Sequence, residues 1–171
     1  MASNLSTKRL MKELAEIRSK GTPDGIVLLS ADNMEEWRFL ISVLGEETIY
    51  RGETFALKMK FGSRYPIDCP EVTFVADAQY QPPLHPHVYS NGHICASILG
   101  NEWSPVLNAV AICITMQSML ASNKKKERPE GNDRYVRNAP SNPKDTRWHY
   151  DDDVGGSHLF ATSLEGDMRL C

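Results

Sequence analysis

Residues 85–105 read HPHVYSNGHICASILGNEWSP, and neither the two-residue period of a strand nor the 3.6-residue period of a helix runs through them. Pro86, the turn-prone Ser90-Asn91-Gly92 and Pro105 interrupt the chain repeatedly. With Ala76–Leu84 in front, the irregular stretch runs from Ala76 to Pro105. A loop of that length inside a domain is usually functional. This one holds Cys95 together with His85, His87 and His93.

Regular patterns lie on both sides of it. Upstream, Trp37, Phe39, Ile41 and Val43 alternate with other residues, as do Phe55, Leu57, Met59 and Phe61, and the turn-prone Gly45–Gly52 stretch separates the two runs, which predicts neighbouring strands. Ile26–Ser30 and Val72–Val75 are shorter apolar runs bounded by Gly or Pro and predict two more strands. Ahead of these, Leu10, Leu14 and Ile17 fall at i, i+4 and i+7 within Thr7–Lys20, charged residues including Glu13 fill the rest, and Gly21 closes an amphipathic helix. Downstream, Pro105 opens Val106–Leu120, apolar on nearly every face, which predicts a buried central helix. From Ser122 the chain turns polar, with room for one short helix or two. The expected fold is α+β: an N-terminal helix, a four-stranded antiparallel meander, the long loop, the buried central helix and a short helical C-terminal region. Residues 5–153 are expected to form the core domain and 154–171 a flexible tail.

Composition narrows the class. Hydrophobic residues make up 41% and charged residues 24% of the 171, which suits a soluble globular protein with one core. A formal charge of -3 argues against nucleic acid as a partner, since such binders carry a basic excess. The first twenty residues scatter lysine and arginine where a signal peptide would be apolar, and the longest apolar run, Ala109–Ile114, is six residues, far below the roughly 20 that span a bilayer. No membrane association is expected, and an intracellular location, cytoplasm or nucleus, is. Cys69, Cys95, Cys113 and Cys171 lie far apart with no CxxC pair, which favours free thiols in a reducing compartment.

Preceded by SRYPIDCP at 63–70, the opening stretch resembles the ubiquitin-conjugating enzyme family. The elements that carry the likeness are Tyr65, Pro66, Pro70, His85, Pro86, Cys95, Trp103, Ser104 and Pro105, with seven residues between His87 and Cys95 and seven more before Trp103. Where the family has Asn, this chain has His87. That change, with the SNGHIC turn and the downstream RYVRN, NPK and WHYDD segments, is similar to the W type of the family. The likeness covers about residues 5–153. It implies a thioester of ubiquitin on Cys95, passed to an amine, and for the W type to the N-terminal α-amine of flexible substrates. It implies no cofactor, because ATP is consumed by the activating enzyme.

The remaining assignments follow from that likeness and from side-chain chemistry. A thiol that exchanges thioesters must be reached by a bulky partner, so Cys95 is expected in an open segment. His87 is the candidate to support the oxyanion, and Asp133 the nearest match to the acidic residue that family members place near the acceptor amine. His85, Pro86, Asn91 and Trp103 are expected to shape the loop. The family's partner surface falls on Lys8, Arg9, Lys12, Phe61, Pro105 and Val106, which implies contacts with the activating enzyme and RING-type ligases; Phe61 ends an alternating strand and core packing is its alternative. Three other readings compete. A zinc protein could draw on the H-x-H-x5-H-x-C pattern of His85, His87, His93 and Cys95, although no metal site is expected. A cysteine hydrolase would pair Cys95 with a histidine. A variant without catalysis would act as a binding module.

Overall fold

The computed structural model describes residues 4–151 and 158–162. Alternation at Trp37, Phe39 and Ile41 gives strand β2 (Glu36–Ser42), in which those three side chains are buried and their neighbours partly exposed. Strand β3 (Thr54–Lys60) pairs with it antiparallel from Glu36 opposite Lys60 to Ser42 opposite Thr54. This register sets Trp37, Phe39 and Ile41 against Met59, Leu57 and Phe55 on one face, because side chains a period of two apart share a face. Strands β1 (Ile26–Ser30) and β4 (Glu71–Phe74) flank the pair, and the order β1-β2-β3-β4 is the expected antiparallel meander.

Helix α1 (Asn4–Lys20) begins earlier than the spacing predicted and contributes Leu10, Leu14 and Ile17 to the core. Helix α2 (Ala109–Ser122) contributes Ala109, Ile112, Cys113, Met116 and Leu120, a stripe at i, i+3, i+4, i+7 and i+11. Each fully buried aliphatic or aromatic side chain adds roughly 1.5–3 kcal/mol. Two expectations for this helix need correction. It does not open at Pro105: Asn108 is the N-cap, its Oδ1 accepting the Ala111 N–H at 2.8 Å, while Leu107 N–H closes a turn onto the Ser104 carbonyl. Nor is it buried all round, since Ile114 is 42% exposed.

The C-terminal region holds helix α3 (Asn132–Asn138) and a single 3-10 turn at Pro143–Asp145, as a short helical region requires. It then departs from expectation. Strands β5 (Arg147–Asp151) and β6 (His158–Thr162) pair antiparallel as a second, two-stranded sheet, so part of the stretch expected as tail pairs in a strand. Residues 152–157 and 163–171, with Cys171 and most of the expected tail, lie outside the described residues. Among the described residues no helix is long and apolar enough to cross a membrane.

Candidate active site

The Ser90-Asn91-Gly92 turn presses directly on the edge of the meander. Asn91 Oδ1 accepts the His93 N–H at 3.1 Å, and Gly92 N–H closes onto the Tyr89 carbonyl at 2.9 Å. Gly92 has φ +89°, and a β-carbon there would stand 1.9 Å from the Phe74 carbonyl oxygen. Only glycine fits both demands. In return the Gly92 carbonyl accepts the Phe74 N–H at 2.9 Å, tying the turn to β4. Val88 bridges Ile94 across the hairpin, and Cys95 N–H donates to the His87 carbonyl at 2.9 Å. The sequence therefore returns Cys95 to the His85–Pro86–His87 turn through backbone contacts.

The two histidines of that turn have opposite environments. His85 is 3% exposed and uses both ring nitrogens: Nδ1 accepts the His87 N–H at 2.9 Å, and Nε2 faces the Met119 carbonyl at 3.3 Å as a donor. Burial first, and the neighbouring His87 second, lower its pKa to about 4, so it is a neutral bracket between the loop and α2. His87 is partly exposed, yet its Nδ1 is buried without a hydrogen-bond partner among the described residues. Burial pushes its pKa down as well. A buried ring nitrogen without a partner costs free energy.

The thiol itself is a correction. Expected in the open, Cys95 is 1% exposed, because the contacts that anchor its segment draw the backbone against β4 and the His87 carbonyl instead of holding it clear of the body. Exchange with a bulky partner therefore requires the segment's surroundings to open. Cys69 and Cys113 are less suited still. Burial raises the Cys69 thiol to about 12 and pushes Cys113, on the inner stripe of α2, higher again, so neither supplies thiolate at neutral pH.

Side chains from afar complete the frame. Trp103 Nε1–H donates to the Pro66 carbonyl at 3.0 Å. Asn132 clasps Ser90, accepting its N–H at 2.9 Å and donating to its Oγ at 3.0 Å, and also donates to Asp133 Oδ1 at 2.9 Å. This places Asp133, exposed in the first turn of α3, one residue from the clasp on the Ser90-Asn91-Gly92 turn. Tyr135 lies at 3.9 Å between ring centroids from Tyr89 and at 2.8 Å from His93 Nδ1. Arg128 reaches the carbonyls of Pro82, Pro83 and Val88. Asn132, Tyr135 and Arg128 were not singled out from the sequence, since they sit in a polar run with no period to mark them. No three His, Cys, Asp or Glu side chains among the described residues gather as metal ligands; the His85 and His93 rings face Met119 and Tyr135 instead.

Comparison with known proteins decides the family. The family model for ubiquitin-conjugating enzymes matches residues 9–148. The chain belongs to the ubiquitin-conjugating enzyme family. It is 43% identical over 155 residues to ubiquitin-conjugating enzyme E2 W of Caenorhabditis elegans, covering 88% of this chain and 98% of that one. To the probable ubiquitin-conjugating enzyme E2 W-A of Danio rerio it is 46% identical over 150 residues, 86% and 96% of the two chains. The crystal structure of the ubiquitin-conjugating enzyme UbcA1 of Agrocybe aegerita superposes with a TM-score of 0.80 at 57% identity, covering 83% of this chain and 99% of that one. The W-type likeness is thus borne out. A ubiquitin-conjugating enzyme is a transferase that carries ubiquitin as a thioester and works with an activating enzyme and ligases.

In such an enzyme the surface expected to meet partners divides in two. Lys8 and Lys12 are exposed on α1, Pro105 is exposed beyond Trp103, and Val106 is 83% exposed. Arg9 is instead engaged inward. Its Nε pairs with Glu13 at 2.6 Å, and its Nη1 and Nη2 hold the carbonyls of Pro105 and Leu107 at 2.9 and 2.7 Å. Arg9 therefore shapes this surface by fixing the loop that presents Val106. Glu13, one of the charged residues around the apolar stripe of α1, is 5% exposed; it accepts from the Tyr65 hydroxyl at 2.6 Å and from Ala109 N–H at 3.0 Å, where a carboxylate also suits the positive end of α2. Phe61 is the clearest correction. It is 6% exposed, with ring centroids 5.0 Å from Trp37 and 4.9 Å from Tyr65. Three aromatic rings bury one another there, and Phe61 belongs to the core.

Proposed function

We propose that Cys95 is the residue that carries ubiquitin, and that the charged enzyme, with RING-type ligases, passes it to the α-amine of flexible N-termini. The observation that carries the reading is the turn itself: Cys95 is bonded through its N–H to His87, and the imidazole of His87 keeps a buried unpaired nitrogen there. Burial keeps that ring neutral at physiological pH, so it supplies one N–H as donor without changing charge. Attack by an amine turns the thioester carbonyl into an oxyanion; the C–S bond then breaks and returns the thiolate of Cys95 as the amide forms. His87 is assigned the support of that oxyanion, and Asp133 a place beside the incoming amine. His85, Pro86, Asn91 and Trp103 hold the loop in shape, while Lys8, Lys12, Pro105 and Val106 meet the activating enzyme and ligases.

The choice of amine follows from proton equilibria. A lysine amine near pKa 10.4 is almost wholly protonated at pH 7, whereas an α-amine near 7.8 is partly free, roughly a few hundred times more so. An enzyme with His87 in place of the usual Asn, and with Asp133 engaged by Asn132, has little to draw a proton from lysine and least need to draw one from an α-amine. The work belongs inside the cell, in cytoplasm or nucleus, where thiols stay reduced.

Discharge should be compared on a flexible peptide with a free N-terminus and on the same peptide acetylated there with its lysines intact. The expected result is loss of ubiquitin to the first and not to the second. Equal discharge on both peptides would overturn the preference.

A further inference from the structure

Arg128 stands in the loop between α2 and α3, far in sequence from the catalytic turn. Its guanidinium donates Nη1–H to the Pro83 carbonyl at 2.6 Å and the Val88 carbonyl at 3.2 Å, and Nη2–H to the Pro82 carbonyl at 3.1 Å. No carboxylate among the described residues forms a salt bridge with it. Its three acceptors stand on the two sides of His85–Pro86–His87, two before the turn and one after. Pro82 and Pro83 have carbonyls to offer and no N–H, so this arm cannot close a ladder with its neighbour by backbone bonds alone. The arm is held from another direction too. Tyr50 hydroxyl donates to the Leu84 carbonyl and accepts from Asn123 Nδ2, each at 2.6 Å. Val88 follows His87, whose carbonyl receives the Cys95 N–H.

We propose that Arg128 is a positioning residue for amine transfer: its planar fork clamps the two arms of the 82–88 segment and so sets where His87 stands relative to Cys95. This also assigns work to the Ala76–Leu84 stretch, in which Pro82 and Pro83 supply two of the three carbonyls for the clamp. The inference rests on the reading of Cys95 as the carrier. A lysine at 128 keeps the charge but cannot span three carbonyls with one rigid fork, and misplacement of reacting groups by about 1 Å costs on the order of a hundredfold in rate.

The test uses the full chain charged with ubiquitin, ATP then being removed, and follows discharge over a range of free N-terminal peptide. Arg128→Lys and Arg128→Ala are compared with Gln117→Ala, whose side chain also clasps two carbonyls, Asp24 and Ser42 at 2.9 Å each, but away from the turn. Both Arg128 variants should lose about 10- to 100-fold in maximal discharge rate, with the half-saturating peptide concentration kept within about twofold. Gln117→Ala should discharge at the wild-type rate even where its melting temperature falls as far as theirs. Millimolar guanidinium ion, well below denaturing concentration, should restore part of the Arg128→Ala rate and none to Gln117→Ala. Normal discharge in Arg128→Lys and Arg128→Ala, or a loss matched by Gln117→Ala, overturns this inference alone. A wild-type chain that takes no ubiquitin on Cys95 overturns it together with the reading beneath it.

Discussion

In the β2–β3 ladder, residue after residue from Glu36 to Ser42 finds its partner on the neighbouring strand, whereas between Pro82 and Trp103 much of the backbone is held by single side chains from distant elements. Tyr50 takes Leu84, Arg128 takes Pro82, Pro83 and Val88, Asn132 takes Ser90, and Trp103 reaches out to Pro66. The ladder is redundant: losing one side chain leaves the neighbouring pairs in place. The 82–103 segment is not. Each clasp acts on at most three peptide groups, so its loss is felt where the thiol and His87 are held. Damage in the meander should therefore appear as lost stability, and damage in the segment as lost transfer.

The largest expected effect breaks the first half of that contrast. Phe61→Ala, one residue past β3 among the rings of Trp37 and Tyr65, should cost about 3–5 kcal/mol of stability by urea unfolding while the folded fraction still discharges ubiquitin normally. A stable Phe61→Ala protein that fails only with its ligase would return Phe61 to the partner surface. Gly92→Ala probes the other half. At φ +89° and 1.9 Å from the Phe74 carbonyl, the added methyl should cost about 2–4 kcal/mol and reduce discharge in the molecules that remain folded. Wild-type discharge from Gly92→Ala would mean that the tie to β4 does not shape the site.

Acid should loosen the segment through its buried histidines. In the unfolded chain His85 and His93 take up protons near pH 6.5, but in the folded protein only near 4. Their depressed values therefore add stability that is whole above about pH 6.5 and is lost as pH falls toward 4, at most about 3 kcal/mol for each. Urea midpoints measured from pH 7 to 4.5 should fall less steeply in His93→Gln than in the wild type, and parallel slopes would exclude the effect for His93. The smallest change is Trp103→Phe, which keeps the ring and loses the bond to Pro66. About 1 kcal/mol of stability should go with it, as read from the same unfolding curves.

The contrast also explains what could be read in advance. Strands β2 and β3, the apolar stripe of α1 and the meander order were legible because side-chain period alone dictates them. Spaced motifs marked the Cys95 loop, and Asn91-Gly92 announced its turn. The start of α2 was misplaced because Pro105 and the cap Asn108 are both reasonable openings, and only the Asn108–Ala111 bond decides between them. Exposure at Arg9, Glu13, Phe61 and Cys95 depends on which elements meet in space. Glu13 is charged, which argues for solvent, yet it falls at i+3 on the face of Leu10, Leu14 and Ile17 and meets Tyr65 and the first turn of α2 across the fold. Arg128 and Asn132 carried no signal because a hydrogen bond to a group distant in the chain, the carbonyls of Pro82, Pro83 and Val88 for one and Ser90 for the other, leaves no pattern in the local sequence.

The claim on which everything else depends is that the enclosed thiol of Cys95, and neither Cys69 nor Cys113, carries ubiquitin. Wild type and Cys95→Ser should each be incubated with activating enzyme, ubiquitin and ATP and resolved on gels with and without reductant. Wild type should give an adduct that reductant removes; Cys95→Ser should give one that resists reductant and yields to base, as an oxyester does. An adduct on Cys95→Ser that reductant still removes would place the thioester on another cysteine and contradict the account.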